Sequence, residues 1–198
     1  MIHTVLLDRV PAQAWRNGGG STQELLAWPL ASQTAAWHWR ISVASIARSG
    51  PFSAYPGVQR WFTVLTGDGV RLRFDGSPAG APATALLLTP DHEPLAFEGG
   101  AAPDCELLGG PTLDLNLMLH RAQGQMLRVQ AEDEWRSAAA CRAVFTMQPC
   151  VLQIDDTDAA HLPARCLAWS DHAQRQRWRL QGLAAPAQAW WLSCQVQP

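Results

Sequence analysis

The chain is 198 residues long, with 15 basic and 17 acidic side chains, a formal net charge of −2 and a pI near 6.3. That balance excludes a global electrostatic attraction to nucleic acid or to anionic membranes, and neither is an expected partner. The length is enough to bury a core as one domain or as two small fused ones, and ten Trp predict that much of it is aromatic.

At the start, Met1 to Asp8 has neither a basic n-region nor a long apolar h-region, so no secretory leader is expected. No stretch approaches the apolar length that crosses a bilayer. Cys105, Cys141, Cys150, Cys166 and Cys194 form an odd set without CxxC spacing, which predicts reduced thiols and a cytoplasmic location.

Asn17-Gly-Gly-Gly-Ser21 marks an unusual backbone rather than a Walker loop, which needs a Lys and an ensuing helix, whereas Glu24-Leu-Leu-Ala-Trp28 reads as strand. In Trp37–Ala44, Trp37, Trp39, Ile41 and Val43 share one face and His38, Arg40, Ser42 and Ala44 the other, the period of a strand. Val58–Leu65, the turn Thr66-Gly-Asp-Gly69 and Val70–Phe74 read as a hairpin. Gly76 to Pro82 is an expected exposed loop. Further strands are predicted at 85–88, 94–97, 105–108, 125–130, 143–147, 151–154, 177–180 and 189–196, with Glu132 to Cys141 as the one candidate helix. Short strands broken by Pro and Gly predict an all-β sandwich or barrel.

Phe62-Thr-Val-Leu followed by Val70-Arg-Leu-Arg-Phe74 echoes Phe145-Thr-Met-Gln followed by Val151-Leu-Gln-Ile154, which predicts a duplicated barrel. Asp155-Asp-Thr-Asp158 lacks the Gly and Glu of an EF-hand loop and reads as a solvated turn. There is no GxSxG elbow, and Ser170, Asp171 and His172 cannot easily converge from one extended segment. Arg175, Arg177 and Arg179 share a strand face and read as a solvated ridge.

Four segments are not explained as simple core: Trp15-Arg-Asn-Gly-Gly-Gly-Ser-Thr-Gln-Glu24, Trp39-Arg-Ile-Ser-Val-Ala44, Gly50-Pro-Phe-Ser-Ala-Tyr-Pro-Gly-Val-Gln-Arg60 and Gly109-Gly-Pro-Thr-Leu-Asp-Leu-Asn-Leu-Met118. In this order the chain resembles the HutD/Ves family, with its W-x-N-G-G-G-x-T, W-R-x-S-x-A, G-P-F-S-x-x-P-G-x-x-R and G-P-x-x-D-F-N-x-M segments. It departs at Leu115, where the family usually has Phe, and at His120-Arg121, where an Arg pair is common. The resemblance implies a cupin-like double-stranded β-helix, with a bicupin of two similar barrel halves, and a bacterial cytoplasmic protein tied to histidine utilisation or stress response. It covers residues 15 to 118 strongly, so the expected organisation is a first half over 1–121 that carries the motifs and a second over 122–198, packed as one compact unit.

Within that frame Arg60 shares a face with Val58, Phe62 and Val64, a guanidinium at the end of an apolar stripe that cannot shed its charge. Two readings are open: structural acceptors satisfy it, or it awaits an anionic ligand at the barrel mouth. Trp15 and Asn17 with the glycines form either a pocket wall or a tight turn. Asp114 and Asn116 alternate with Leu113, Leu115 and Leu117 and are expected to leave the core together, bracing a loop or touching the ligand. The candidate ligand-binding set is therefore Arg60, Trp15, Asn17 and Asn116, with no catalytic residue and no cofactor assigned. The leading function is non-enzymatic binding of a small carboxylate; the alternatives are a metal-independent isomerase or lyase using Asp114 or a His, and an interaction module. Histidine-degradation intermediates such as urocanate or N-formylglutamate are the first ligand candidates that the resemblance implies.

Cupin-like barrels often hold a metal on two closely spaced His, a Glu and a later His, but none of His3, His38, His92, His120, His161 and His172 forms an HxH pair. Elemental analysis of the purified protein is expected to find no stoichiometric zinc, iron, manganese or nickel; close to one metal per chain refutes this.

Overall fold

Among the described residues (1–29, 37–75, 84–130, 134–156, 159–185 and 187–196) the computed structural model contains twenty strands, two single-turn 3-10 helices and no α-helix. The expected loop at 76–82 lies outside the described residues. The chain divides into two compact units, Ala12–Arg121 and Met1–Pro11 with Ala122–Pro198. The first eleven residues belong to the second unit, and not to the half that a simple cut after 121 gives them, because β1 (His3–Leu6) pairs with Cys166–Trp169.

In the unit Ala12–Arg121 the strands are β2 (Gln13–Ala14), β3 (Gly20–Trp28), β4 (Trp39–Ile46), β5 (Gly50–Pro51), β6 (Val58–Thr66), β7 (Val70–Phe74), β8 (Thr84–Leu88), β9 (Leu95–Glu98), β10 (Asp104–Leu107) and β11 (Thr112–His120). They form a six-stranded sheet ordered β2-β3-β4-β11-β6-β9 and a four-stranded sheet ordered β5-β10-β7-β8. Ile46, Phe62, Val64, Val70, Leu72, Leu88 and Cys105 fill the interior. The expected hairpin at Thr66–Gly69 is not one. Both edges of β6 are taken by β11 and β9, so the turn carries the chain from one sheet into the other. Its glycines are still required: Gly67 and Gly69 have φ of +101° and +106°, and a Cβ on Gly69 would lie 2.4 Å from the Leu88 carbonyl oxygen.

The second unit repeats the scheme. Its strands are β12 (Ala122–Gln123), β13 (Met126–Arg128), β14 (Glu134–Arg136), β15 (Cys141–Thr146), β16 (Cys150–Ile154), β17 (Ala160–Leu162), β18 (Cys166–Ser170), β19 (Arg177–Gln181) and β20 (Ala189–Val196). The run β4-β11-β6-β9 has its counterpart in β13-β20-β15-β18, and β5-β10-β7-β8 in β14-β19-β16-β17, strand for strand in chain order. The expected helix at Glu132–Cys141 is overturned. Glu134–Arg136 is a strand paired with β19, with Trp135 opposite Trp178, and Cys141 already opens β15, so cross-strand aromatic packing outweighs local helix preference. The ridge of Arg177 and Arg179 is accounted for by Glu134, which sits 3.7 and 3.5 Å from their guanidiniums. Asp155 accepts a hydrogen bond from the Arg177 backbone N–H at 2.8 Å, while residues 157–158 lie outside the described set.

The facing of β15 corrects the sequence echo by one residue. Phe62 points into the interior of its unit, whereas in the second unit Val144 does so and Phe145 lies on the opposite face. Each unit therefore carries an inward Arg two residues before that position, Arg60 in one and Arg142 in the other. Arg142 is fully buried, and its guanidinium donates to the backbone carbonyls of Trp135, Ala173 and Gln176 while stacking 5.2 and 5.3 Å from the Trp135 and Trp178 rings. Three backbone acceptors and two rings counter this buried cation within the protein, although its Nε has no hydrogen-bond partner. Arg142→Ala strands three carbonyls beside a void and is expected to cost about 3–5 kcal/mol by urea denaturation; a loss near zero removes Arg142 from the core's support.

Candidate functional site

The unit Ala12–Arg121 holds a cavity of about 500 Å³, and all four residues singled out from sequence, Trp15, Asn17, Arg60 and Asn116, line it. Strand register explains the convergence. Arg40, Met118, Arg60 and Phe97 form one row across β4, β11, β6 and β9, and Ser42, Asn116, Phe62 and Leu95 form the next. Because alternate residues share a face, Arg40, Ser42 and Ala44 of the W-R-x-S-x-A segment all reach the cavity, while Trp39, Ile41 and Val43 are buried on the other side. Pro51, Phe52, Ser53 and Tyr55 of the G-P-F-S segment complete the wall.

Arg60 is 7% exposed, and its Nη2 donates to Asn116 Oδ1 at 2.8 Å. Its Nε has no hydrogen-bond partner. Phe52, Tyr55 and Phe97 surround the guanidinium at 4.9, 5.9 and 5.2 Å from their ring centroids. Burial pulls its pKa down to about 10, with the Tyr55 phenol opposing and the Arg40 charge assisting, so it remains cationic at neutral pH. An Arg offers only donors, so the Asn116 oxygen must face it and Nδ2 is turned the other way.

Two other cations, Arg40 in the same unit and Arg142 in the second, are handled differently. Arg40 Nε meets Glu24 Oε2 at 2.6 Å, and its Nη1 lies 3.4 Å from Met118 Sδ. Arg142 has carbonyls on three sides. Arg60 has neither a carboxylate nor a set of carbonyls.

Trp15 and Asn17 serve the turn as well as the wall. Trp15 Nε1 donates to Thr22 Oγ1 at 2.8 Å, and Asn17 Oδ1 accepts from the Gly19 N–H at 2.9 Å. Gly18 has φ +65°, and a Cβ on Gly20 would sit 2.2 Å from the Ser45 carbonyl oxygen, which accounts for the glycine run through close approach of β3 and β4 rather than phosphate binding.

The expectation that Asp114 and Asn116 leave the core is corrected: they are 0% and 5% exposed, and both faces of β11 are buried. Asp114 does not line the cavity. Its Oδ2 accepts from Thr112 Oγ1 at 2.8 Å, its Oδ1 has no partner, and burial pushes the carboxyl up to about 8 against the Thr112 hydrogen bond. The sequence reading missed Arg40, Phe52 and Tyr55 as wall residues; the alternation around Arg40 was the available signal.

The metal that cupin-like folds often carry does not fit this wall. Among the described residues the cavity is lined by no His, Cys, Asp or Glu but by three Arg, and no cluster of three or more such ligands occurs.

A family model described as HutD matches residues 8–187. An uncharacterized 21.2 kDa protein in the hutC 3' region of Pseudomonas putida is 41% identical over 108 residues, 54% of this chain and 53% of that protein. Protein Ves of Citrobacter koseri is 40% identical over 116 residues, 58% of this chain and 56% of its own. The matched stretch spans about half the length of these curated relatives. A conserved protein of unknown function from Pseudomonas aeruginosa superposes with a TM-score of 0.83 at 29% identity, covering 98% of this chain and 99% of its own. HutD from Pseudomonas fluorescens superposes at 0.81 and 25% identity over the full length of both chains. A mutant of Bacillus subtilis oxalate decarboxylase, at 5% identity and a TM-score of 0.67 over 98% of this chain and 77% of its own, shares the cupin-like all-β fold alone. With the family match running from residue 8 to 187, the chain belongs to the HutD family.

Proposed function

We propose that the protein is a bicupin of two double-stranded β-helix halves, and that the first half binds a small carboxylate without catalysing a reaction on it, in a cytoplasmic regulatory role in histidine utilisation or stress response. The repeated eight-strand pairing supports the bicupin reading. The observation that carries the ligand is Arg60: an almost fully buried cation facing a cavity of about 500 Å³ with one neutral amide as its polar contact. Such a charge is stabilised by a carboxylate, which accepts from the guanidinium fork and from Asn116 Nδ2 together. The isomerase or lyase reading finds no carboxyl, imidazole or thiol on the described wall. The histidine connection rests on the family and on the hutC-region relative.

Urocanate and N-formylglutamate are the first probes, followed by thermal melting. At about 100 times Kd, binding adds about 2.7 kcal/mol, which is roughly a 5–10 °C rise at about 2–4 °C per kcal/mol. Arg60→Ala is expected to abolish the rise in a folded protein; a variant that responds as wild type does places the site elsewhere.

Asn116→Asp supplies the missing carboxylate at the same position and is expected to leave melting unchanged or raised while weakening ligand at least ten-fold. Undiminished binding by N116D refutes the anion role of Arg60.

A further inference from the structure

We infer that Glu24 limits this pocket to monoanions, so that it takes a ligand with one carboxylate and an uncharged remainder and disfavours dicarboxylates. The inference rests on the carboxylate reading above and sharpens it.

Arg40 and Arg60 lie in one row of the sheet, on the strands flanking Met118, so their Cα atoms are separated by two strand spacings, about 10 Å. Both line the cavity. A five-carbon diacid could therefore address both guanidiniums if both were available. They are not. Arg40 is held by Glu24 at 2.6 Å, whereas Arg60 faces only the Asn116 amide.

The remaining charges leave this count intact. Asp114 on the adjacent strand is buried off the cavity wall, and its carboxyl is held protonated at neutral pH by that burial. Arg16 lines the mouth but is exposed, where water and salt screen it. Inside the wall one positive charge stands in excess.

One carboxylate neutralises Arg60. A second would either lie beside Glu24, like charge against like, or compete with Glu24 for Arg40; these two side chains are 42% and 19% exposed, so that water screens the pair only in part. The rest of the wall is suited to an uncharged body: Phe52, Phe62, Ile46 and Met118 are apolar, and Ser42 and Thr22 carry only hydroxyls. Glu24 is thus a specificity-determining residue that never needs to touch the ligand, and it is absent from the cavity wall.

Calorimetric titration at fixed ionic strength with pentanoate and glutarate, which share a five-carbon chain and differ in one terminal carboxylate, tests this on the full chain. The wild type is expected to bind pentanoate at least ten-fold more tightly than glutarate. Glu24→Gln keeps an acceptor for Arg40 but removes the charge; it is expected to tighten glutarate at least ten-fold and to change pentanoate less than about three-fold. Equal binding of the two acids by wild type, or tighter glutarate, overturns the inference and leaves the carboxylate reading standing. A pentanoate preference that survives in E24Q overturns the role of Glu24. Failure of the wild type to bind either acid overturns the carboxylate reading along with it.

Discussion

The site depends on one contact, the bond from the almost fully buried Arg60 guanidinium to the Asn116 carbonyl at 2.8 Å. A guanidinium cannot lose its proton to escape burial, so its charge must be countered inside the fold. A neutral amide fixes its position without countering that charge. Position and neutralisation are thereby separated: the protein supplies the first, and on the proposed carboxylate reading a ligand supplies the second.

The strand pattern makes that separation possible. β6 is the second strand from the edge of its sheet, bonded to β11 and β9, so two ladders hold the backbone that carries Arg60. Register sets Asn116 in the neighbouring row from Arg60, and Phe52, Tyr55 and Phe97 cover the guanidinium with ring faces that favour a cation without cancelling it. The glycine turn brings Trp15 over the cavity and spends its indole N–H on Thr22, so the wall is held before any ligand arrives.

Much of this was legible in the sequence. Period-2 alternation identified β4 and placed Arg60 on the apolar side of β6, and β20 was among the predicted strands. What local pattern could not supply was pairing. The Thr66–Gly69 turn has the glycines of a hairpin, yet the strands it joins pair elsewhere, because sheet membership is decided by partners distant in sequence. Asp114 and Asn116 looked like an exposed polar face because alternation distinguishes two sides of a strand without saying which is buried; in β11 both are. Glu134–Arg136 looked helical because its strand partner, β19, lies some forty residues on.

The two inward arginines show how the same pairing scheme gives one side chain two surroundings. In the second unit three backbone carbonyls and two indole rings close around Arg142, and Trp135, Trp178 and Trp191 fill the surrounding space. The same type of side chain on the corresponding strand of the first unit meets one amide and open volume. A buried Arg is therefore not by itself evidence of a ligand, since Arg142 is explained entirely by the protein around it. What distinguishes Arg60 is the deficit of acceptors: its neighbours are aromatic or neutral, Arg40 in the same row already has Glu24, and among the described residues no carboxyl lines the cavity. The deficit is local, amounts to one charge, and opens on the cavity, and those three properties together are what the proposed carboxylate reading rests on.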